Sequence, residues 1–137
     1  MRVYLDSSAV LKRVIAEADS AALVAAVDDH HWRGDLMVSS SLAWVEVARA
    51  LRNLRQGPLT AVSSDVDAAL SGVTEHPIGP EVVALARRVS PDVLRSLDAL
   101  HIASALLLDA DLVLTYDRRL ATACTDNGLQ VSAPAAS

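Results

Sequence analysis

Short apolar runs alternate along this chain of 137 residues with longer segments whose apolar residues recur every three or four positions. Short runs predict buried strands, and the longer spacing predicts helices that cover them. The predicted strands are residues 2–5, 36–38, 72–78, 112–115 and 129–131, of which 72–78 is a weak edge strand because Pro77 cannot donate to a central ladder. The predicted helices are 8–15, 19–27, 42–54, 59–70, 80–88, a long apolar helix from after Pro91 to 108, and 118–125, with a polar link at 28–31.

Local capping signals agree with these helix ends. The serines at 39–41 can cap the helix that follows them, and Gln56-Gly57-Pro58 ends it. Pro80 suits a first helical position, and Gly128 suits a helix stop. Strands alternating with helices favour an α/β fold with a parallel sheet that is covered on both faces. We expect one domain over residues 1–132, followed by a disordered tail at 133–137.

Composition narrows the class of protein. Hydrophobic residues make up 52% and charged residues 21%, which excludes a disordered chain. The lone Cys124 excludes an internal disulfide and fits a reducing cytoplasm. No apolar run approaches the length of a signal peptide or a membrane span. The net charge of −5 counts against a protein that holds nucleic acid by phosphate neutralisation alone, although bound divalent cations would offset part of it.

Four acids lie at the ends of apolar runs or inside apolar helices. They are Asp6, Glu46, Asp98 and Asp117. Acids are almost never fully buried unless they are paired or bound to a cation. Asp6 and Asp117 each follow a predicted strand directly, which is where parallel sheets bind ligands. If the fold brings the four together, the sequence predicts a site for a hard divalent cation, the usual machinery for hydrolysing phosphodiesters.

Asp6, Asp117 and Glu46 each have a structural alternative. Asp6 and Asp117 could simply cap the helices that follow them. Glu46 could form a surface pair with Arg49, three residues further along its helix. Its apolar neighbours favour a mostly buried helix instead.

Asp98 is the most informative acid, because its helix is apolar nearly all round and is therefore expected to be buried all round. Arg95, Asp98 and His101 share one stripe of that helix. Asp98 could be a buried acid satisfied by Arg95 or His101. We favour a carboxylate that points into a polar cleft, with His101 in a supporting or packing role and not as a ligand.

Four motifs together resemble the PIN-domain ribonucleases, and among them the VapC-type toxins of bacterial toxin–antitoxin pairs. The matching pieces are Leu-Asp-Ser-Ser-Ala around Asp6, the glutamate at 46, Leu-Asp-Ala-Leu-His-Ile-Ala at 97–103 and Thr-x-Asp-x-x-Leu at 115–120. The resemblance covers essentially the whole chain. The motifs at 97–103 and 115–120 are its specific parts.

This resemblance implies a PIN-like three-layer sandwich whose five-stranded parallel sheet gathers Asp6, Glu46, Asp98 and Asp117 at its carboxyl edge. It implies hydrolysis of RNA with Mg²⁺ or Mn²⁺. Asp6, Asp98 and Asp117 would hold the metal, and Glu46 would complete the site or orient the attacking water. Ser7 or Ser8, together with Thr115, would hydrogen-bond the carboxylates. The resemblance also implies a homodimer and a VapB-type antitoxin whose tail enters the acidic groove.

Other classes fit the motifs less well. A haloacid-dehalogenase phosphatase needs a second aspartate where this chain has Ser8. A response-regulator receiver needs an acid pair after the first strand and a late lysine, but Lys12 is the last lysine. A catalytically silent interaction module stays open, although the full set of acids argues against it. His30-His31 lacks metal-ligand spacing, Cys124 has no obvious histidine partner, and the chain contains no P-loop, GxGxxG or GxSxG motif.

Overall fold

The computed structural model of the protein describes residues 1–136. Strands and helices alternate within this range, as the apolar pattern predicts. The strands are β1 (Arg2–Leu5), β2 (Leu36–Ser40), β3 (Thr74–His76), β4 (Leu112–Leu114) and β5 (Val131–Ser132). The helices are α1 (Ser7–Leu11), α2 (Ser20–Trp32), α3 (Ser41–Arg55), α4 (Leu59–Ala69), α5 (Pro80–Ala86), α6 (Ser96–Leu107) and α7 (Arg118–Asp126).

Across residues 1–136 the strands form one five-stranded sheet in the order β3-β2-β1-β4-β5, and every pairing is parallel. The central strand β1 pairs with β2 on one side and β4 on the other. The chain runs outward from β1 to β3 and then crosses to the opposite side at β4. The switch point therefore lies between the carboxyl ends of β1 and β4, the usual ligand position in such sheets.

Alternating residues of the strands face two separate cores. Val3 and Leu5 of β1 pack with residues of α1, α2, α3 and α4, whereas Tyr4 packs with residues of α6 and α7. Leu114 and Val113 of β4 divide between the same two cores. This alternation is the period of two of a strand buried on both faces. It confirms the predicted α/β fold with helices on both sides of the sheet.

Two predicted helix stops are confirmed. The helix α3 ends at Arg55, and Gln56 adopts a left-handed conformation (φ 52°) as its C-cap. Gly128 has φ 81°, which a glycine adopts without steric cost, and it reverses the chain after α7. The N–H of the next residue, Leu129, donates to the carbonyl of Cys124.

The predicted ends of α1 and α2 were wrong. After Leu11 the chain tightens into turns, in which Arg13 and Val14 donate to the carbonyls three residues back. The helix α1 is therefore shorter than 8–15. The predicted polar link at 28–31 continues α2 to Trp32, because His30 is buried and its ring bonds Asp35 at 2.8 Å.

Later bounds also differ: the strand predicted at 72–78 is Thr74–His76, and the helix predicted at 80–88 is Pro80–Ala86. The helix α6 begins at Ser96 and not directly after Pro91, since Leu94 donates to the carbonyl of Pro91 and Arg95 is extended. Nor is α6 buried all round: Leu97 and Leu107 are 52% and 42% exposed. The strand predicted at 129–131 is Val131–Ser132, because Leu129 packs into the core as part of the turn after α7.

The chain after β5 passes close to β4. Residues 133–136 have no regular secondary structure, yet the carbonyl of Pro134 accepts a 2.6 Å hydrogen bond from the hydroxyl of Tyr116. Ser137, the last residue of the predicted tail, lies outside the described residues. In the part of the chain that is described, no helix is long and apolar enough to cross a membrane.

Candidate active site

Asp6 follows β1 directly and is 3% exposed. It caps α1, because its Oδ1 accepts a 3.0 Å hydrogen bond from the N–H of Ala9. The hydroxyls of Ser8 and Thr115 each donate at 2.7 Å, Ser8 to Oδ1 and Thr115 to Oδ2. The expected cap is thus present, but three donors around one buried carboxylate are more than a cap needs. Burial raises the pKa of Asp6, and the bonds from Ser8 and Thr115 oppose that rise.

Ser8 and Thr115 link the ends of β1 and β4. Besides its bond to Asp6, the oxygen of Ser8 accepts the N–H of Tyr116 at 2.9 Å, and Thr115 accepts the N–H of Asp117 at 3.1 Å. Both hydroxyls that the sequence singled out as hydrogen-bond donors thus bond to Asp6, while their role in catalysis stays a prediction. Of the two serines offered, Ser8 is the donor. Ser7 makes no hydrogen bond to any of the four acids within residues 1–136, because it opens α1 one position too early.

Asp117 follows β4 and caps α7. Its Oδ1 accepts from the N–H groups of Arg119 and Leu120 at 2.9 and 3.2 Å. The residue is exposed. Within residues 1–136 its Oδ2 has no hydrogen-bond partner, so capping leaves half of the carboxylate available.

Glu46 projects from α3 and pairs with His101 of α6 and not with Arg49. Its Oε1 lies 2.6 Å from Nε2 of His101. The other ring nitrogen, Nδ1, lies 2.6 Å from the hydroxyl of Tyr4, which also accepts the N–H of Ser40 at 3.3 Å. Tyr4 and His101 are buried, and the Glu46 side chain is 26% exposed. A buried chain of hydrogen bonds therefore ends at one oxygen of a carboxylate that reaches solvent.

Asp98 lies in the first turn of α6 and is half-buried. Neither Arg95 nor His101 forms a hydrogen bond with Asp98. Its carboxylate has no hydrogen-bond or ion-pair partner among residues 1–136. Its pKa is raised by burial first and by the charge of Asp117 second, with a smaller contribution from Glu46. The buried, paired Asp98 that the sequence left open is therefore absent from this part of the chain.

Asp98 lies close enough to Asp117 and Glu46 for their charges to raise its pKa. Burial raises the pKa of Cys124 to about 12, and the charges of Asp6 and Asp98 contribute to this rise. A thiol held in its neutral form is a poor nucleophile. The carboxylates are therefore the groups at this edge of the sheet that can bear chemistry.

The donor chemistry fits a hard divalent cation. Asp98, Oδ2 of Asp117 and Oε2 of Glu46 are carboxylate oxygens without partners in residues 1–136, and such oxygens are what Mg²⁺ and Mn²⁺ prefer. Over the same residues, no group of three His, Cys, Asp or Glu side chains is arranged to hold a metal ion.

Sequence reasoning missed two features of the site. One is Tyr4, whose hydroxyl lies on a buried strand and must find a partner there. The other is a group of arginines, Arg95, Arg118 and Arg119, which line a groove beside Asp98. Their positions next to Asp98 and Asp117 in the sequence were the available signal.

Comparison with known proteins agrees with this geometry. The family model described as "PIN domain" matches residues 3–125. Ribonuclease VapC47 of Mycobacterium tuberculosis is 31% identical over 136 residues, which covers 98% of both chains. Ribonuclease VapC46 of the same species is 37% identical over 134 residues, which covers 96% of this chain and 97% of that protein.

Solved structures share the fold. The crystal structure of Mycobacterium tuberculosis VapC20, described as a Sarcin-Ricin loop cleaving toxin, superposes with a TM-score of 0.64 at 15% identity over 88% of this chain and 94% of that one. VapBC-1 from nontypeable Haemophilus influenzae gives a TM-score of 0.58 at 14% identity over 96% of this chain and 97% of that one.

Proposed function

This chain belongs to the PIN-domain family, and we propose that it is a VapC-type toxin, a Mg²⁺- or Mn²⁺-dependent endoribonuclease. The relatives named Ribonuclease VapC support the toxin and its RNA substrate. The observation that carries the proposal is the environment of the Asp98 carboxylate. Asp98 is half-buried without a partner in residues 1–136, and its pKa is raised by burial and by Asp117. An unpaired acid beside another acid suits a cation site better than a structural role.

Asp6, Asp98 and Asp117 are the residues that would hold the metal. When bound, the cation would polarise a phosphate oxygen and lower the pKa of a water molecule. Ser8 and Thr115 fix both oxygens of Asp6 in place, so this carboxylate does not have to be ordered on binding. The cap bonds use only Oδ1 of Asp117 and leave its Oδ2 available to a cation.

Glu46 orients the attacking water and accepts its proton. Its Oε1 is fixed by His101, which leaves Oε2 for the water. The water oxygen forms a bond to phosphorus while the bond from phosphorus to O3′ breaks. The leaving O3′ atom takes up a proton from solvent, and Glu46 returns its proton to solvent, so one RNA fragment ends in a 3′-hydroxyl and the other begins with a 5′-phosphate.

We further propose that the protein acts in the cytoplasm, as a homodimer, and that a VapB-type antitoxin restrains it. The solved VapBC-1 structure, which has the same fold, supports the antitoxin. The acids beside the site offer a counter-charge to a basic segment of that partner.

The test is cleavage of total RNA by the purified protein with Mg²⁺ or Mn²⁺, with EDTA, and with Asp6→Asn and Asp98→Asn variants. Asn keeps the shape of the side chain and removes its charge. Cleavage should need the metal and disappear in both variants, while Asp67→Asn, an exposed acid on α4, should cut normally. Cleavage that persists in excess EDTA or in the Asn variants would refute the proposal. Growth arrest on expression, relieved by Asp98→Asn, extends the test to selective RNA targets.

A further inference from the structure

A groove of about 470 Å³ opens beside Asp98, between the segment that leads into α6 and the outer face of α7. It does not contain the other three acids. The residues that bear on its chemistry are Pro91, Leu94, Arg95, Asp98, Arg118 and Arg119. Three of its lining residues are cationic and two, Asp98 and Asp126, are acidic, which leaves a net positive lining in a chain whose net charge is −5.

The three arginines are exposed and uncommitted. Within residues 1–136, none of their guanidinium groups forms an ion pair or a hydrogen bond. Arg49 and Arg87, outside the groove, are likewise without such contacts in residues 1–136, whereas Arg55 pairs with Asp65 at 3.0 Å and Arg13 donates to the carbonyls of Ala69 and Ser71. Arg95 is close enough to Asp98 to oppose the rise of its pKa. Free guanidinium groups beside an acid site point to an anionic ligand that reaches both.

The groove also has an apolar side. Pro91, Val93 and Leu94 line it, and Val93 is 90% exposed. A single-stranded nucleic acid presents phosphates together with unstacked bases, and bases pack on apolar side chains and guanidinium planes. The combination of cations and exposed apolar surface therefore matches a nucleotide strand better than a simple anion.

We propose that this groove binds the stretch of single-stranded RNA that adjoins the scissile phosphate, with Arg95, Arg118 and Arg119 on its phosphates. The proposal rests on the proposed function, since it assigns a path to the substrate of that site. The groove suits the basic tail expected of an antitoxin less well, because its three arginines outnumber the two lining acids, Asp98 and Asp126. The acids then face the cation and the scissile phosphate, and the arginines hold the flanking strand.

The experiment measures RNA binding without cleavage. Fluorescence anisotropy follows a labelled single-stranded RNA of about 12 nucleotides in EDTA over a series of salt concentrations. The variants are Arg95→Gln, Arg118→Gln and Arg119→Gln. The control is Arg33→Gln, which follows α2 at the opposite edge of the sheet. All four arginines are exposed, so folding should be retained, and melting curves check this.

Each groove variant should weaken binding by roughly threefold to tenfold at low salt, and should flatten the slope of log affinity against log salt by about 0.7. Arg33→Gln should match wild type. Equal binding by wild type and the groove variants, an equal loss in Arg33→Gln, or no binding by wild type would overturn the proposal. So would displacement of the RNA by a polyglutamate of equal charge at equal concentration, which would indicate an acidic protein partner.

Binding and cleavage fail separately. If the protein binds RNA through the arginines but never cuts it, the groove proposal stands and the proposed function fails. If the protein cuts RNA and its arginine variants bind RNA normally, the proposed function stands and the groove proposal fails.

Discussion

The Nε2 atom of His101 lies 2.6 Å from Oε1 of Glu46, although 55 residues separate the two in the chain. The N–H of Ser40 donates to the Tyr4 hydroxyl, and burial raises the pKa of that hydroxyl, so Tyr4 keeps its proton; we assign Tyr4 as the donor to Nδ1. His101 then carries its own proton on Nε2 and donates it to Glu46. We assign His101 as a positioning residue that fixes the Glu46 carboxylate.

Replacing His101 tests this positioning role. His101→Leu removes the donor and should lower kcat about tenfold or more with little change in KM, because a hydrogen bond to a charged group contributes about 1.5–3 kcal/mol. His101→Gln keeps an N–H that can reach Glu46 and should recover part of kcat. Steady-state cleavage of a labelled RNA measures both constants. Equal kcat losses in the two variants would leave His101 with a packing role only.

Thr115 should be needed for both stability and activity. Thr115→Val removes the hydroxyl that donates to Asp6 and accepts from Asp117, and leaves a buried carboxylate oxygen without its donor. The free energy of unfolding should fall by about 1–3 kcal/mol. Thr115→Ser keeps the hydroxyl and should lose much less. Urea unfolding of both variants measures this difference, and a Val variant as stable as the Ser variant would contradict the network.

Asp98→Asn should separate metal binding from folding. Without metal, this variant should be as stable as wild type or more so, since it removes a charge that Asp117 repels. Free Mg²⁺ at ten times Kd should stabilise wild type by about 1.4 kcal/mol. The melting temperature of a domain of this size should then rise by roughly 3–5 °C.

The Asn variant should lose most of this response to Mg²⁺, and Asp67→Asn should keep it. Melting curves at fixed ionic strength provide the comparison. A clearly destabilised Asp98→Asn protein that responds to Mg²⁺ like wild type would mean that Asp98 is structural.

The stability that Asp6 and Asp98 contribute to the metal-free protein should fall as the pH rises from near 3.8, the ordinary pKa of an aspartate, towards neutrality. The folded state raises the pKa values of Asp6 and Asp98, chiefly by burial, and so favours their protonated forms. Their contribution to the free energy of unfolding is fully present below the ordinary pKa and is lost as the pH rises through the raised pKa values. Asp98→Asn should flatten this decline when unfolding is measured in EDTA.

Asp35 is a matched control of opposite sign. Hydrogen bonds from the N-terminal amine and then from His30 lower its pKa. Its contribution is present above the ordinary pKa and is lost as the pH falls through the lowered value. Asp35→Asn should therefore alter only the acid end of the stability curve. Identical pH profiles for wild type and Asp98→Asn would contradict the assigned shift.

The apolar pattern was enough to predict the order of the elements, because buried parallel strands and their covering helices have different periods. It did not predict where α1 stops or where α6 starts. Those bounds depend on turns at Arg13 and Leu94 whose hydrogen bonds carry no apolar signal. The end of α2 depends on a contact between His30 and Asp35. The polarity of residues 28–31 alone suggested that this segment was a loop.

The candidate acids were visible in the sequence because a carboxylate directly after a buried strand is conspicuous. Their hydrogen-bond partners were harder to find. Ser8 and Thr115 lie beside the acids in their motifs, whereas the bond between Tyr4 and His101 joins residues 97 positions apart. Whether a side chain is committed, as Arg13 is, or free, as Arg95 is within residues 1–136, is decided by packing that one sequence does not encode locally.

The chemical end group of the cleaved RNA tests the central claim most directly. Attack by water with loss of O3′ leaves a 5′-phosphate and a 3′-hydroxyl, whereas attack by the neighbouring 2′-hydroxyl leaves a 2′,3′-cyclic phosphate and needs no metal-held water. Products made with Mg²⁺ by wild type, compared with Asp98→Asn, can be identified by mass spectrometry. We expect 5′-phosphate ends from wild type and no products from the variant. Cyclic-phosphate ends, or 5′-phosphate ends formed equally by Asp98→Asn, would contradict the account.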